Sequence, residues 1–372
     1  MQHKFVVILA ILVILIFQLT LTYYYYYYYY YINELRYIDR SGMYHCCYLD
    51  SVRNRVPVIE SQESVQYGRL KPGRNYAIFS ASLYGSEAAS YGFDLPLTAM
   101  AWKRIGFGSV LIIVGDPRLR VRHPWVRYLM DALVDKENIV VVVLKTASPS
   151  QATSISQVSR LFAASLLRYN TSDVRIQDTY LLTADADIWP IAKDFLVLPP
   201  GKDIIHGDIG NRRVDNLDVI HVPLSYVGMR IRTWRSVMTQ SGLVPMPSTI
   251  SEMVAYFGDK YFLNVTYDGP GWYSDQIMIS LRLHQWKQAN GQSGAVHVYR
   301  RRFEEDRIDR ANWPRFQPRI EGVVDSHVLH HGYHPQEWLR LRQLLTKMCP
   351  DYDSVKWFDQ YADQFNKLVA SF

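Results

Sequence analysis

Asp185 and Asp187 flank Ala186 directly after an apolar run, Tyr180-Leu181-Leu182-Thr183. In an extended chain, residues two apart point to the same side, so the two carboxylates share one face. Such a pair can hold a hard divalent cation, directly or through water. Mg2+ and Mn2+ typically take one or two carboxylates together with substrate phosphates. A bare D-x-D is also an ordinary solvated turn, but the strand-like run before it and Ile188-Trp189-Pro190 after it favour a site. Asp275 is the second candidate. It follows Gly271-Trp272-Tyr273-Ser274 and opens the run IMISLRLHQW, where an Asp caps a helix and can also serve as a general base. The third is the cluster His327, His330, His331 and His334. Imidazole is an unusual ligand for Mg2+ but suits Mn2+, so a metal ligand is sought among His327, His330 and His331.

The elements that must position these groups are legible as short apolar runs. Residues 75–82 (NYAIFSAS), 109–114 (SVLIIV), 138–144 (NIVVVVL) and 178–183 (DTYLLT) read as strands. Between them, residues 94–106, 123–134 and 150–168 carry helical spacing, with Pro96 and Pro124 placed in first turns. Strands alternating with helices imply βαβ units. Continuous Val/Ile/Leu runs imply strands covered on both faces. The expected fold is therefore α/β, Rossmann-like, with a mostly parallel sheet flanked by helices. Ligands of such sheets bind beyond the carboxyl ends of the strands, where Asp185 and Asp187 fall. The same rule nominates Ser80 and Ser82 after the first strand and Asp116 after the second, for a nucleoside. Asn211-Arg212-Arg213 could face a diphosphate.

The layout resembles that of Golgi-type II membrane glycosyltransferases of the GT-A superfamily, and YLLTADADIWP resembles their D-x-D sugar-nucleotide motif. The resemblance spans roughly residues 75–335 and does not single out one family. It implies a metal-dependent hexosyltransferase that moves a sugar from a nucleotide-sugar donor to a glycan, glycoprotein or glycolipid acceptor. Asp185 and Asp187 would then bind Mn2+ (or Mg2+) and the donor diphosphate. A late-loop histidine would complete the metal site, here preferably His330. The glycogenin-like H-x-x-G-x-x-K-P-W pattern is not met, because Gly332 follows His330 by two residues. In inverting members an Asp at the place of Asp275 is the base. Trp272 and Tyr273 could stack on a sugar of the acceptor or pack the core. The rival readings are a lumenal carbohydrate-binding protein on the same fold and a D-x-D phosphatase. The phosphatase pattern D-x-D-x-[TV] finds Trp189 where Thr or Val belongs.

The 372 residues carry 41 Lys+Arg against 35 Asp+Glu, a net charge of +6 without a basic tract, which speaks against a nucleic-acid partner. At 48% hydrophobic and 20% charged, the chain is not a disordered one. Residues 1–4 read as a cytosolic tail and residues 5–22, uncharged throughout, as a transmembrane signal anchor. Residues 23–73 read as a collar of nine tyrosines and a stem, and 74–372 as a lumenal catalytic domain, with 74–190 its nucleotide-sugar half and 191–372 its acceptor half. Location in the Golgi or ER membrane agrees with sequons at Asn170 and Asn264. In an oxidising lumen Cys46 or Cys47 could pair with Cys349 or with a second chain, giving a disulfide-linked dimer, or all three could stay reduced.

Overall fold

The computed structural model describes residue 18 and residues 58–371 except 61–62, 86, 117, 135, 147–148, 215, 241, 262–269, 292, 300–305 and 314–319. The expected anchor, the tyrosine run, Cys46, Cys47 and the Asn264 sequon lie outside the described residues, Gln18 excepted. No helix among the described residues is long and apolar enough to cross a membrane.

The strands follow the chain as β1 Val58–Glu60, β2 Ser64–Tyr67, β3 Tyr76–Ser82, β4 Gly108–Gly115, β5 Ile139–Lys145, β6 Tyr180–Thr183 and β7 Ile188–Pro190. They continue as β8 Ile204–Gly207, β9 Asn211–Val214, β10 Leu217–Ile220, β11 Gly228–Arg230, β12 Val296–Tyr299, β13 Arg307–Ile308 and β14 Asp325–His327. The main sheet runs β1-β2-β5-β4-β3-β6-β11-β8-β12. Its centre, β5-β4-β3-β6, is parallel throughout. On one flank β2 and β1 add antiparallel strands, and on the other β11 runs antiparallel between β6 and β8. The mixed α/β architecture and its parallel centre follow from the runs read above. The first two strands are a departure, since residues 58–67 read as stem from the sequence. They join the sheet because β2 pairs with the edge of β5, burying Ser64, Val65 and Gln66.

The long helices are α1 Ala88–Arg104, α2 Pro124–Val134, α3 Pro149–Ser159, α4 Ile231–Met238, α5 Ile250–Tyr261, α6 Ser274–Asn290, α7 Pro335–Met348 and α8 Tyr352–Ala370. Alternation sorts the strand side chains between the two faces of the sheet. Ile78, Val110, Ile112, Val140 and Val142 cluster with Ala152, Ile155 and Val158 of α3. Phe79, Leu111, Ile113, Val141 and Val143 point the other way and are buried as well, with α1 on β3 and β4 and α2 on β5. Helix α1 starts six residues earlier than the sequence suggests, so Pro96 sits inside it rather than in its first turn. The expected helix over 150–168 breaks at residue 160. A 3-10 turn, Arg160–Phe162, and a short helix, Ala163–Leu166, replace its second half, a tightening that recurs at functional positions.

Candidate functional site

The chain runs from β3 outward to β4 and β5, then returns to place β6 on the other side of β3. The strand order therefore reverses between β3 and β6, and the crevice beyond their carboxyl ends is the favoured ligand position of an open α/β sheet. Asp185 and Asp187 follow the end of β6 directly. The loop carrying them is held from several directions. The Ala184 amide donates to the Ile78 carbonyl of β3 at 2.7 Å, and the Ile188 amide closes a turn on the Asp185 carbonyl at 3.2 Å. From α1, the buried Thr98 hydroxyl donates to the Ala186 carbonyl at 2.5 Å and accepts the indole N–H of Trp189 at 3.0 Å. The Arg104 guanidinium donates to the carbonyls of Pro190 and Ile191 at 2.9 and 2.6 Å.

Each Asp of the motif has its own arginine. Arg160, which opens the 3-10 turn, is buried and donates to the Ala184 carbonyl at 2.8 Å, to Asp185, and to Asp275 Oδ2 at 2.8 Å. Asp275 sits in the first turn of α6, where its Oδ1 accepts the Gln276 amide at 2.7 Å. Only 2% of Asp275 is exposed. Burial pushes its carboxyl up, Arg160 and the Gln276 amide pull it down, and the result is about 6. Both oxygens are thus engaged, and Asp275 anchors Arg160 as placed. Asp185, with 36% of its side chain exposed, is the carboxylate of the three that faces solvent.

Arg310 serves Asp187 from the far end of the chain. Strand β14 pairs with β13 on one side and with β7 on the other, setting His327 opposite Ile188, next to Asp187. The Val328 amide donates to the Asp187 carbonyl at 2.8 Å. Arg310 lies two residues beyond β13, in a short turn whose N-cap Asp309 accepts the Ala311 amide at 2.9 Å. Its guanidinium donates to Asp187 Oδ2 at 2.8 Å and touches the Nε2 atoms of His327 and His330. His327 Nε2 stands 3.3 Å from Asp187 Oδ2, and its Nδ1 3.2 Å from Asp309 Oδ2. Burial and Arg310 oppose charge on His327, but Asp187 and Asp309 prevail and push it up to about 9. Burial works against Asp187 in the same way, yet His327, Arg310 and His330 hold its carboxyl well below the usual carboxylate range. The hydrogen bond from His327 brings Asp309 down to about 2. Burial and then Arg310 lower His330, which is the most exposed of the group.

Two groups of α1, one buried and one half-buried, complete the wall. Asp94 of α1 is 1% exposed, and its Oδ1 has no hydrogen-bond partner. Burial first, and then Asp187, push its carboxyl well above the usual carboxylate range. Tyr91, one turn earlier, sets its ring edge-on to His330 at 5.7 Å between centroids.

The remaining candidates are spread around the crevice. Ser80 donates to the Ser156 carbonyl of α3 at 2.5 Å, and Ser82 accepts the Tyr84 amide at 3.1 Å, so both hydroxyls serve the end of β3. Asp116, just past β4, accepts the Arg118 amide at 2.9 Å. Burial raises its carboxyl, and Arg118 outweighs that and leaves it lowered. Trp272 and Tyr273 are half-buried in the 3-10 turn Pro270–Tyr273 ahead of α6. The Tyr273 ring lies 5.8 Å from the Arg212 guanidinium of the β9–β10 hairpin. Asn170 is exposed, with its side-chain oxygen accepting the Ser172 amide at 3.0 Å. Cys349 is a half-buried thiol. A cavity of about 210 Å3 lined by Met100, Lys136 and Trp357 lies at the opposite edge, where β4 and β5 begin. It touches none of these groups.

The sequence reading missed Arg160, Asp309, Arg310 and Asp94. Arg160 left one trace, a lone charge among Val158, Leu161 and Phe162. Asp309 and Arg310 left none, because their partners are more than a hundred residues away or reached only through β14.

The expected metal set of Asp185, Asp187 and His330 is not assembled. Among the described residues, no three His, Cys, Asp or Glu side chains are grouped so as to hold a metal ion. Asp185 turns to Arg160 and Asp187 to Arg310. The residues as arranged do not fit the ion.

The chain matches no family model and no curated protein. Among solved structures it is similar to the apo form of the glycosyltransferase GlyE of Streptococcus pneumoniae TIGR4, at 11% identity and a TM-score of 0.35. That match takes in 78% of this chain and 64% of that protein. So loose a likeness assigns neither family nor activity.

Proposed function

We propose that the chain is a glycosyltransferase that moves a sugar from a nucleotide-sugar donor to a hydroxyl of a glycan, glycoprotein or glycolipid. The observation that carries this reading is the D-x-D pair at the switch point of a doubly wound sheet, each carboxylate matched to a buried or half-buried arginine. A crevice with two guanidiniums suits a diphosphate, whose oxygens guanidinium N–H groups match in pairs. The nucleoside would lie over the ends of β3 and β4, near Ser82 and Asp116. The acceptor would enter past Trp272 and Tyr273.

In the transfer, the acceptor oxygen bonds to the anomeric carbon. The bond from that carbon to the phosphate oxygen breaks, and its electron pair leaves with the nucleoside diphosphate. The acceptor proton goes to Asp275, which at about 6 is ionised at neutral pH and still basic enough to take it. Arg160 stays on Asp275 and keeps it ionised for this step, and Arg310, beside Asp187, supplies the charge that stabilises the leaving group. The anchor read over residues 5–22 would hold the enzyme in a Golgi or ER membrane with its catalytic part lumenal.

The test is a panel of nucleotide sugars offered to the full chain in detergent, with release of the nucleoside diphosphate as readout. One donor of the panel is expected to be cleaved, and Asp187→Ala to abolish cleavage. Normal turnover by a folded Asp187→Ala variant, or cleavage of no donor, refutes the reading.

A further inference from the structure

We propose that Arg310 is the resident cation of this site, standing where a divalent metal would sit among Asp187, His327 and His330. A hard cation of this kind is bound where oxygen and nitrogen ligands converge on one point. Here Asp187 Oδ2 and the His330 Nε2 atom meet a guanidinium, and His327, drawn to the same Asp187 oxygen, crowds the point from the other side. The position is built into the fold. The β13–β14–β7 ladder fixes the distance between Arg310 and Asp187, and Asp309 caps the turn of Arg310 while facing His327.

Arg310 keeps 24% of its side chain exposed, which leaves it within reach of a ligand. A permanent cation held by a buried carboxylate can neutralise a pyrophosphate without an ion from solution. The site therefore takes pyrophosphate-type ligands in the absence of divalent metal, and a metal gains Asp187 only by displacing Arg310. What the site binds rests on the donor reading above, whereas the place of Arg310 does not.

The decisive probe is Mn2+ alone, titrated into the full chain in detergent and followed by the electron paramagnetic resonance signal of the free ion. The wild-type chain should leave Mn2+ free up to about 1 mM. Arg310→Ala should gain one bound equivalent, at least roughly tenfold tighter, and Asp187→Asn in that background should remove it. Arg310→Lys, which keeps a cation in place, should gain none. If Arg310→Ala does not fold, Arg310→Gln replaces it. Tight Mn2+ binding by wild type that Asp187→Asn abolishes overturns the proposal, as does a folded Arg310→Ala or Arg310→Gln chain that gains no site. In a second arm, inorganic pyrophosphate should bind wild type in EDTA, and removal of Arg310 should weaken it roughly tenfold or more. Pyrophosphate binding that appears only with Mn2+ also overturns the proposal. A chain that passes the Mn2+ arm but cleaves no nucleotide sugar loses the transferase reading alone. One that cleaves donors through a wild-type Mn2+ site loses this inference alone.

Discussion

Replacing Arg160 by Met keeps the length and apolar stem of the side chain and removes its charge. Three groups lose a donor: the Ala184 carbonyl, Asp185 and the fully buried Asp275. A lost hydrogen bond to a charged group costs about 1.5–3 kcal/mol. The Asp275 share follows from linkage. Taking up a proton at pH 7, for a carboxyl that titrates at 3.8 when unfolded, costs about 4 kcal/mol at about 1.4 kcal/mol per pH unit. In the intact protein, with Asp275 already raised to about 6, about 3 of those are spent. Stranding Asp275 therefore adds only about 1 kcal/mol, because the carboxyl protonates instead. The total loss at pH 7 is about 2.5–4 kcal/mol.

The sign with pH is fixed as well. A carboxyl raised by folding favours the folded state below its unfolded value and loses that contribution as pH climbs through about 6. At pH 5 the carboxyl is protonated with or without Arg160, so the loss should shrink by about 1 kcal/mol. Urea unfolding at both pH values measures this, provided the slope is unchanged. A loss under about 1 kcal/mol at pH 7, or a loss that grows at pH 5, refutes Asp275 as a buried carboxylate held ionised by Arg160. Adding Asp275→Asn should cancel the pH dependence.

Three further outcomes are expected. His206 is buried, and burial lowers its imidazole to about 4, so the folded chain binds its proton less readily than the unfolded one. Its stabilising share is whole above about pH 6.5 and falls by about 2 kcal/mol by pH 4.5. His206→Gln should flatten the acid limb of a urea-midpoint against pH plot, and an unchanged limb contradicts this. Thr98→Val strands the Trp189 indole N–H and removes the donor to the Ala186 carbonyl. A stability loss of about 2–4 kcal/mol and slower donor cleavage should appear together, in urea melts and the nucleotide-release assay. A Cβ at Gly228 would collide with the Tyr180 hydroxyl. Gly228→Ala should therefore cost about 1–3 kcal/mol, with part recovered by Tyr180→Phe, as read by thermal melts.

The parallel centre of the sheet was legible because β3, β4 and β5 are buried on both faces and so read as unbroken apolar runs. Strand β2 was not, because its buried Ser64 and Gln66 look like surface residues until β5 and Arg168 supply their partners. The D-x-D pair was legible because spacing and strand context are local. The arginines were not, because nothing near Arg310 in the sequence says that β14 will return it to Asp187. Asp275 stood out as a candidate by its place ahead of an apolar run, but its partner Arg160 was hidden in what reads as an uninterrupted helix.

The 123-residue separation between Arg310 and Asp187 has a consequence for biogenesis. A chain is made from its amino end, and the sheet through β6 can form before β13 and β14 leave the ribosome. Until then Asp187 faces α1 and Asp94 with no counter-charge, so the half-made crevice is electrostatically unfinished. The last strands do not extend an existing core so much as neutralise one. Premature termination anywhere before residue 310 should then yield a polypeptide whose β6–β7 loop stays unlocked and open to quality-control proteases. An intact carboxyl-terminal third closes the loop once β14 pairs with β7.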